Sequence, residues 1–439
     1  MTIQHTSDET SPLLNEISDQ VIPSDASDST STGSRLAFRI GAAMYSFFIL
    51  GLFGSTIGVM LPPLSKYYGL TDLHVSLIFL VGPIGYVIAA QSSGFIHFRF
   101  GQRGIAWIGP IFHILSAAGI AVHPPFWVVL VAFAFVGLGT GFLDGSWCAW
   151  AGSMPNANTT SGLLHGSFSA GAAAGPFLAS LLMEKGNRPW FDYYYLLVAA
   201  SILELFILTY LFRSETASRY RQEKHSQLLF LDHKVDSTAI FKYRGMWFCA
   251  AFFLAYVGTE TAVSGWIVSF MERGRHATPY QASLASSGYW AGQAVGRLSL
   301  GTVTDRVGVR KATSFYFLCA ITVETLFALL QHRTLSIVLM TLLGFLLGPM
   351  FPSGVVVLTQ LLPKDLHVAA VSFVASLGQV GGALLPFGIG AVVDRLGIAV
   401  FRFAILLELG ISFFLWVLLS QSKSTKVRAE HEIRGENGE

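Results

Sequence analysis

Twelve apolar stretches recur along the 439-residue chain, each close to the roughly 20 residues that cross a lipid bilayer as a helix. Charged residues make up only 12% of the chain, whereas soluble domains carry about 25%. A strand that lies alone in lipid cannot satisfy its backbone hydrogen bonds, so each stretch is predicted to be a helix. The predicted spans are 37–61, 74–97, 104–123, 126–151, 161–183, 191–212, 246–270, 280–303, 312–331, 335–361, 367–392 and 398–420.

Polar segments divide the chain into two halves and mark its ends. The predicted organisation is a disordered tail 1–35, a six-helix bundle 36–212, a linker 213–244, a second six-helix bundle 245–420 and a tail 421–439. Twelve spans place both termini on one side of the membrane. Nineteen of the 28 lysines and arginines lie on that side and eight on the other. Because positive charge is enriched on the cytosolic side, we expect both tails and the linker in the cytosol.

The two halves share landmarks in the same order, about 204–210 residues apart. Glycines and prolines that recur are Gly94 and Gly301, Gly137 and Gly344, Gly141 and Gly348, Gly171 and Gly381, and Pro176 and Pro386. Glu204 likewise matches Glu408. Duplicated halves are typical of transporters whose halves rock around a central site. The predicted fold is therefore an all-α membrane protein with twelve transmembrane helices in two pseudo-symmetric six-helix bundles.

The short loop after the eighth span reads GTVTDRVGVRK, from Gly301 to Lys311. This sequence resembles the G-x-x-x-D-R-x-G-x-R-K loop of the major facilitator superfamily. The upstream GQAVGRL, Gly292 to Leu298, is similar to the eighth helix of that family. The copy in the first half departs from the pattern, because it has Phe98 where the family has aspartate.

Three further segments resemble the fucose permease-like branch, which includes fungal "bypass of stop codon" proteins. They are YVGTETAVSGW in the seventh span, GFLDGSWCAW in the fourth and LLHGSFSAGAAAGP in the fifth. The resemblance implies a secondary transporter that works by alternating access and is proton-coupled. The implied substrate is a sugar or a similar small organic solute.

Glu260 lies near the middle of the seventh span, where a charge costs several kcal/mol. In the resembling family the first, fourth, seventh and tenth helices line the cavity. Glu260 is therefore predicted to exchange a proton or to bind substrate there. The alternative is a protonated acid that makes a hydrogen bond between helices.

Polar and aromatic residues near Glu260 extend the predicted site. Asp144 in the fourth span and His165 in the fifth could form a proton relay, since histidine titrates near neutral pH. They could instead make packing hydrogen bonds. Trp147 and Trp266 are the aromatic candidates for stacking on substrate, and Gln293 is a candidate hydrogen-bonding group.

The resemblance implies a gating role for charges at the end of the eighth span and in the loop after it. These residues are Arg297, Asp305, Arg306 and Arg310. Asp305 is expected to approach the start of the fifth helix, near residues 161–162, where the helix dipole is positive. That contact would hold the cytosolic side shut in an outward-open state.

Other features have structural interpretations. Glu204, Glu324, Glu408 and His113 lie in peripheral helices of this fold and are expected to be protonated, paired or near an interface. Glycines crowd the fifth and eleventh spans and predict close packing at a seam where the halves rock.

The remaining predictions concern location and class. Residues 9–14, ETSPLL, match an acidic dileucine sorting signal, so the plasma membrane and the vacuolar membrane both stay open. The sequon at Asn158 is expected to stay unglycosylated in the cytosol. There is no G-x-x-x-x-G-K-[ST] nucleotide loop, which argues against an enzyme. We expect a monomer with no cofactor and no nucleic-acid partner, in contact with lipid, solute and protons. Alternatives are a proton-driven exporter of an apolar secondary metabolite and a nutrient receptor.

Overall fold

A computed structural model describes residues 26–154, 156–222, 237–363 and 366–422. Within these ranges the chain forms twelve long helices. They are α1 Ala26–Tyr68, α2 Ile78–Phe100, α3 Gln102–Ala121, α4 Phe126–Gly152, α5 Ala157–Ser180, α6 Asp192–Leu211, α7 Arg244–Arg275, α8 Pro279–Val307, α9 Val309–Leu329, α10 Arg333–Leu347 with Met350–Leu361, α11 His367–Leu396 and α12 Phe401–Gln421. Short helices at Asp72–Val75 and Leu181–Lys185 lie between α1 and α2 and at the end of α5. The sorting motif, the side chain of Asn158 and most of both predicted tails lie outside the described residues.

The order of the helices matches the twelve predicted spans. The largest difference is α1, which begins at Ala26, inside the segment predicted as a tail. Its apolar part runs from Arg35 to Tyr68. Residues 26–34 are mostly serine, threonine and aspartate, so hydropathy does not extend the predicted span over them. α10 is interrupted at Gly348–Pro349, because proline lacks the N–H that would continue the helix.

Eleven helices in the described ranges are long and apolar enough to cross a membrane. The exception among the twelve is α8, which has 29 residues but is more polar. Its polarity comes partly from a line of serine, glutamine and arginine side chains that are buried inside the protein. The position of α8 between other helices explains how such a helix can lie at membrane depth.

Each half pairs its helices in the same way, with α1 against α5 and α2 against α4, and correspondingly α7 against α11 and α8 against α10. A methyl group on Gly171 would lie 2.0 Å from the carbonyl oxygen of Phe48 in α1. One on Gly381 would lie 1.9 Å from that of Leu254 in α7. These glycines therefore bring helices together inside each half. The prediction that α5 and α11 lie at the seam between the halves agrees with their contacts to α8 and α2, but these two glycines pack against helices of their own half.

The halves meet mainly along α1 with α7, α2 with α11 and α5 with α8, and the short helix Asp72–Val75 also contacts α11. We call the face where α1 begins and α12 ends the termini face, and the opposite one the far face. Asp72 and Arg273 join the halves at the far face. In the described residues, each polar contact between halves lies at mid-depth or nearer the far face. The space between the halves therefore opens toward the termini face.

Candidate functional site

Glu260 lies near the middle of α7 and faces α8, with only 8% of its surface exposed. Its Oε1 accepts a hydrogen bond of 2.7 Å from Gln293 Nε2. It also accepts one of 3.3 Å from a terminal nitrogen of Arg297, which makes a partly buried ion pair. Gln293 and Arg297 are four residues apart on α8, so both reach the same carboxylate from one helix face. The acid points into the protein and meets polar groups there.

Arg297 connects this acid to the other half of the molecule. One terminal nitrogen binds Glu260, and the other donates a 3.0 Å hydrogen bond to Ser169 Oγ in α5. Ser169 in turn donates to the backbone carbonyl of His165. Arg297, which was predicted to act with the gating residues, lies beside Glu260 at mid-depth. The charge on Glu260 is therefore linked to a contact between the halves.

Asp144 forms a second polar cluster on the N-terminal half. Its Oδ2 accepts a 2.7 Å hydrogen bond from the Tyr86 hydroxyl, and its Oδ1 lies 3.6 Å from the Cys148 thiol. The same thiol lies 4.0 Å from His165 Nε2. Asp144 and His165 are thus joined through Cys148 instead of by a direct bond. His165 is exposed, its ring edge meets Phe47, and it lies within electrostatic range of Arg297 across the space between the halves.

Sequence reasoning missed Tyr86, Cys148 and Ser169. Contact between Cys148 and Asp144 could have been predicted, because Cys148 lies one helical turn after Asp144. No comparable signal marked Tyr86 or Ser169, because each acts from a different helix.

The two tryptophans proposed for substrate contact are both fully buried. Trp147 packs against Phe212 at the end of α6, with ring centroids 4.5 Å apart. Trp266 donates its indole N–H to the carbonyl of Pro386 in α11 at 2.8 Å. In this conformation neither contacts Glu260. Trp290 is closer to the acid, because it donates to Ser264 Oγ, one turn from Glu260 on α7.

The predicted gating residues at the termini face contact only their own half. Asp305 and Arg306 are exposed, and neither has a hydrogen bond or ion pair within the described part of the chain. Arg310 donates to the backbone carbonyls of Ser420 and Ser422, which ties the start of α9 to the end of α12. The contact of Asp305 with the start of α5 belongs to the opposite conformation, so it stays a prediction.

The far face is held by an ion pair that the sequence did not indicate. Both terminal nitrogens of Arg273 at the end of α7 bind the two oxygens of Asp72, at 2.6 and 2.9 Å. The backbone N–H of Leu73 is 3.4 Å from Asp394 Oδ1 in α11. A bidentate arginine–carboxylate pair has a defined geometry as well as charge. It stabilises the arrangement in which the far face is closed.

We expect Arg273→Ala to favour opening of the far face. The Arg273 side chain is 44% exposed, so the pair contributes up to about 1 kcal/mol, or about a fivefold change in population. Hydrogen–deuterium exchange of the backbone in residues 72–75 and in the last turn of α7 should become up to about fivefold faster. The reversed pair Asp72→Arg with Arg273→Asp should restore slow exchange.

Arg188→Ala is the matched control, since Arg188 lies in the far-face segment before α6 and its ion pair with Asp192 stays inside one half. Equal acceleration in Arg188→Ala and Arg273→Ala would show that loss of surface charge, not loss of the contact between halves, causes the effect.

Comparisons with known proteins agree with this architecture. The family model described as "Major Facilitator Superfamily" matches residues 43–273 and 248–436. Bypass of stop codon protein 6 of Saccharomyces cerevisiae is 28% identical over 394 residues, 82% of this chain and 78% of that protein. The glucose/mannose transporter GlcP of Bacillus subtilis is 25% identical, covering 78% of this chain and 85% of its own. A putative glucose/galactose transporter of Helicobacter pylori is 24% identical, covering 81% and 89%.

Proposed function

Since the chain belongs to the major facilitator superfamily, and is thus a multi-pass secondary transporter and not an enzyme, we propose that it couples solute movement to protons through Glu260. The observation that carries the proposal is the position of this carboxylate. It is buried between α7 and α8, and its partner Arg297 also binds Ser169 of the other half. Protonation of Glu260 would remove the charge that holds Arg297 and so change a contact that joins the halves.

The coupling scheme follows from electrostatics. A charge at membrane depth is costly unless it is paired. Ionised Glu260 therefore favours the conformation in which Arg297 is paired with it. When Glu260 takes up a proton, Arg297 is free to pair with Ser169 alone, with Asp144 or with substrate. Asp144, Cys148 and His165 lie on the opposite wall and form a second group that can accept protons or bind hydroxyls.

The solute that we propose is a sugar or a similar small hydroxylated compound. Support comes from the hydrogen-bonding groups on both walls, the Glu260 carboxylate and the Gln293 amide on one and the Asp144 carboxylate on the other. It also comes from the relatives whose names specify glucose, mannose or galactose. Because the space between the halves opens toward the termini face, this state would exchange solute with the cytosol if both termini are cytosolic, as we propose.

Uptake into proteoliposomes tests this function directly. The purified protein is reconstituted, and radiolabelled glucose, mannose, galactose and fucose are supplied with an imposed gradient of about one pH unit in either direction. For one proton per solute, that gradient supports up to about tenfold accumulation, because 1.4 kcal/mol corresponds to a factor of ten. We expect accumulation of at least one sugar toward the alkaline side.

Empty vesicles and vesicles with a collapsed gradient are the controls. Accumulation that is unchanged when the gradient is collapsed would contradict coupling. Sugars that are not transported, together with proton-driven efflux of an apolar compound, would favour the exporter alternative.

A further inference from the structure

One face of α8 carries buried polar atoms that bond to no protein group in the described ranges. Serine hydroxyls contribute three of them, and a tyrosine hydroxyl, a glutamine carbonyl and an arginine nitrogen contribute the others. The residues are Ser283, Ser286, Ser287, Tyr289, Gln293 and Arg297. Ser283, Ser286, Tyr289, Gln293 and Arg297 follow one another at helical spacings of three or four, so they lie along one stripe. We call this line the α8 stripe.

Glu324 in α9 lies toward the far-face end of the α8 stripe. It is fully buried, and neither carboxylate oxygen has a hydrogen-bond partner within the part of the chain that the structure describes. The hydroxyl of Tyr289 lies within electrostatic range of both Glu260 and Glu324. Arg275, at the far-face end of α7, is within electrostatic range of Glu324 and donates to the carbonyl of Phe327 at 2.5 Å.

The N-terminal half contains a buried acid, Glu204, whose carboxylate is hydrogen-bonded by its neighbours. Glu204 is also fully buried, but its Oε1 accepts a 2.6 Å hydrogen bond from Ser46, and its Oε2 is 3.3 Å from His113 Nδ1. Glu204 is therefore satisfied by its neighbours, as expected for a residue that holds helices together. Glu324 lacks such partners, so packing alone does not explain it.

Buried polar atoms in proteins almost always have a hydrogen-bond partner, either a protein group or an ordered water. A buried polar site with several such atoms is where internal water binds. The α8 stripe and Glu324 together therefore predict bound water behind α7 and α8. Serine, tyrosine and water each donate and accept, so such a chain can pass a proton along its length.

We propose that Glu324 is a second proton-binding site, connected to Glu260 by hydrated side chains of the α8 stripe and supplied from the far face. A proton from water binds the Glu324 carboxylate, leaves it along the chain and binds the Glu260 carboxylate. Only O–H bonds form and break. The inference rests on the proposed coupling role of Glu260, and it explains how protons reach that residue while solute enters from the termini face.

Several charged or titratable groups lie on the helices around Glu324. They are Arg275, Tyr289, Arg333, Arg402 and Glu408. Arg275 is within electrostatic range of the Glu324 carboxyl. Arg402 and Arg333 are engaged with backbone carbonyls, of Ala328 and Arg275 respectively. In the described residues Glu324 therefore has a cation nearby but no hydrogen-bond donor on its carboxyl, which leaves both oxygens for bound water.

Infrared spectroscopy of the purified protein in lipid vesicles tests the proposal without any substrate. We expect a protonated-carboxyl band that loses intensity as pH rises from about 5 to 9. Glu324→Gln should remove one component of this band, and Glu408→Gln, on the neighbouring α12, should remove a different one, because the Glu408 carboxyl also has an oxygen without a partner in the described residues. A Glu324 band of constant intensity over the whole range would overturn the proposal.

Transport by the same variants separates this inference from the proposed function. Glu324→Gln should reduce gradient-driven accumulation at least tenfold and keep solute exchange. Tyr289→Phe, which removes only the hydroxyl, should slow accumulation several-fold. If Glu260→Gln abolishes coupling but Glu324→Gln does not, the second site is refuted and the first survives. If Glu260→Gln keeps coupling, the proposed function fails, and the infrared titration still decides whether Glu324 binds protons.

Discussion

Replacing Glu260 by glutamine is expected to abolish proton-driven accumulation of solute while exchange of solute across the membrane continues. Glutamine has the size of protonated glutamic acid but cannot release a proton. The variant would then behave like the protonated protein at every pH. It could change between its two conformations only with solute bound, so it would exchange solute but not accumulate it. Accumulation under a gradient of about one pH unit should fall from up to about tenfold to none. The measurement is paired accumulation and counterflow in proteoliposomes.

The pH dependence of the wild-type protein is part of the same test. Initial rates for the wild type should depend on pH, whereas those for Glu260→Gln should be flat. Glu408→Gln is the matched control, because it makes the same chemical change on peripheral α12, away from Glu260. Full accumulation by Glu260→Gln with the wild-type pH profile would contradict the assignment of Glu260 as the coupling group.

Asp144→Asn separates the roles of the two acids. If Asp144 mainly binds solute, this variant should raise the concentration needed for half-maximal uptake while the remaining transport stays pH-dependent. The different surroundings of the two acids support this expectation. Asp144 is bonded to the neutral groups of Tyr86 and Cys148, whereas Glu260 is paired with a cation.

The spans could be predicted from sequence because a bilayer imposes a length and a composition on each crossing helix. The second bundle could be predicted because its landmarks repeat those of the first. Glu260 and Gln293 could be chosen as candidate site residues because polar side chains at membrane depth are costly and rare. These inferences use properties that each segment has by itself.

The parts that could not be predicted depend on how helices are rotated against one another. Trp147 and Trp266 lie near acidic residues in sequence, but each is fully buried against another helix or its end, Trp147 at Phe212 and Trp266 at Pro386. The pairing of Arg297 with Glu260 joins positions on two helices, and no spacing rule relates them. The far-face pair of Asp72 and Arg273 joins the two halves of the chain, and no local sequence pattern predicts it.

Arg297 is the side chain that connects Glu260 in one half with Ser169 in the other. Its guanidinium has two terminal nitrogens in a fixed plane, and each is used for a different half. Lysine has a single point charge and could not hold both contacts with the same geometry. This arrangement makes Arg297 a second residue whose replacement should have a large effect.

Arg297→Gln is expected to destabilise the folded protein by about 3–5 kcal/mol, because it leaves the buried Glu260 carboxylate without its cation. The double variant Glu260→Gln with Arg297→Gln should recover more than half of that loss, since neither charge is then buried alone. The measurement is the free energy of unfolding in mixed micelles for the wild type, both single variants and the double variant. Arg395→Gln, which removes an exposed arginine on α11, is the control and should change stability by less than about 0.5 kcal/mol. Additive losses of stability in the double variant would show that Glu260 and Arg297 do not interact in the folded state. That result would contradict the proposed link between protonation of Glu260 and movement of the halves.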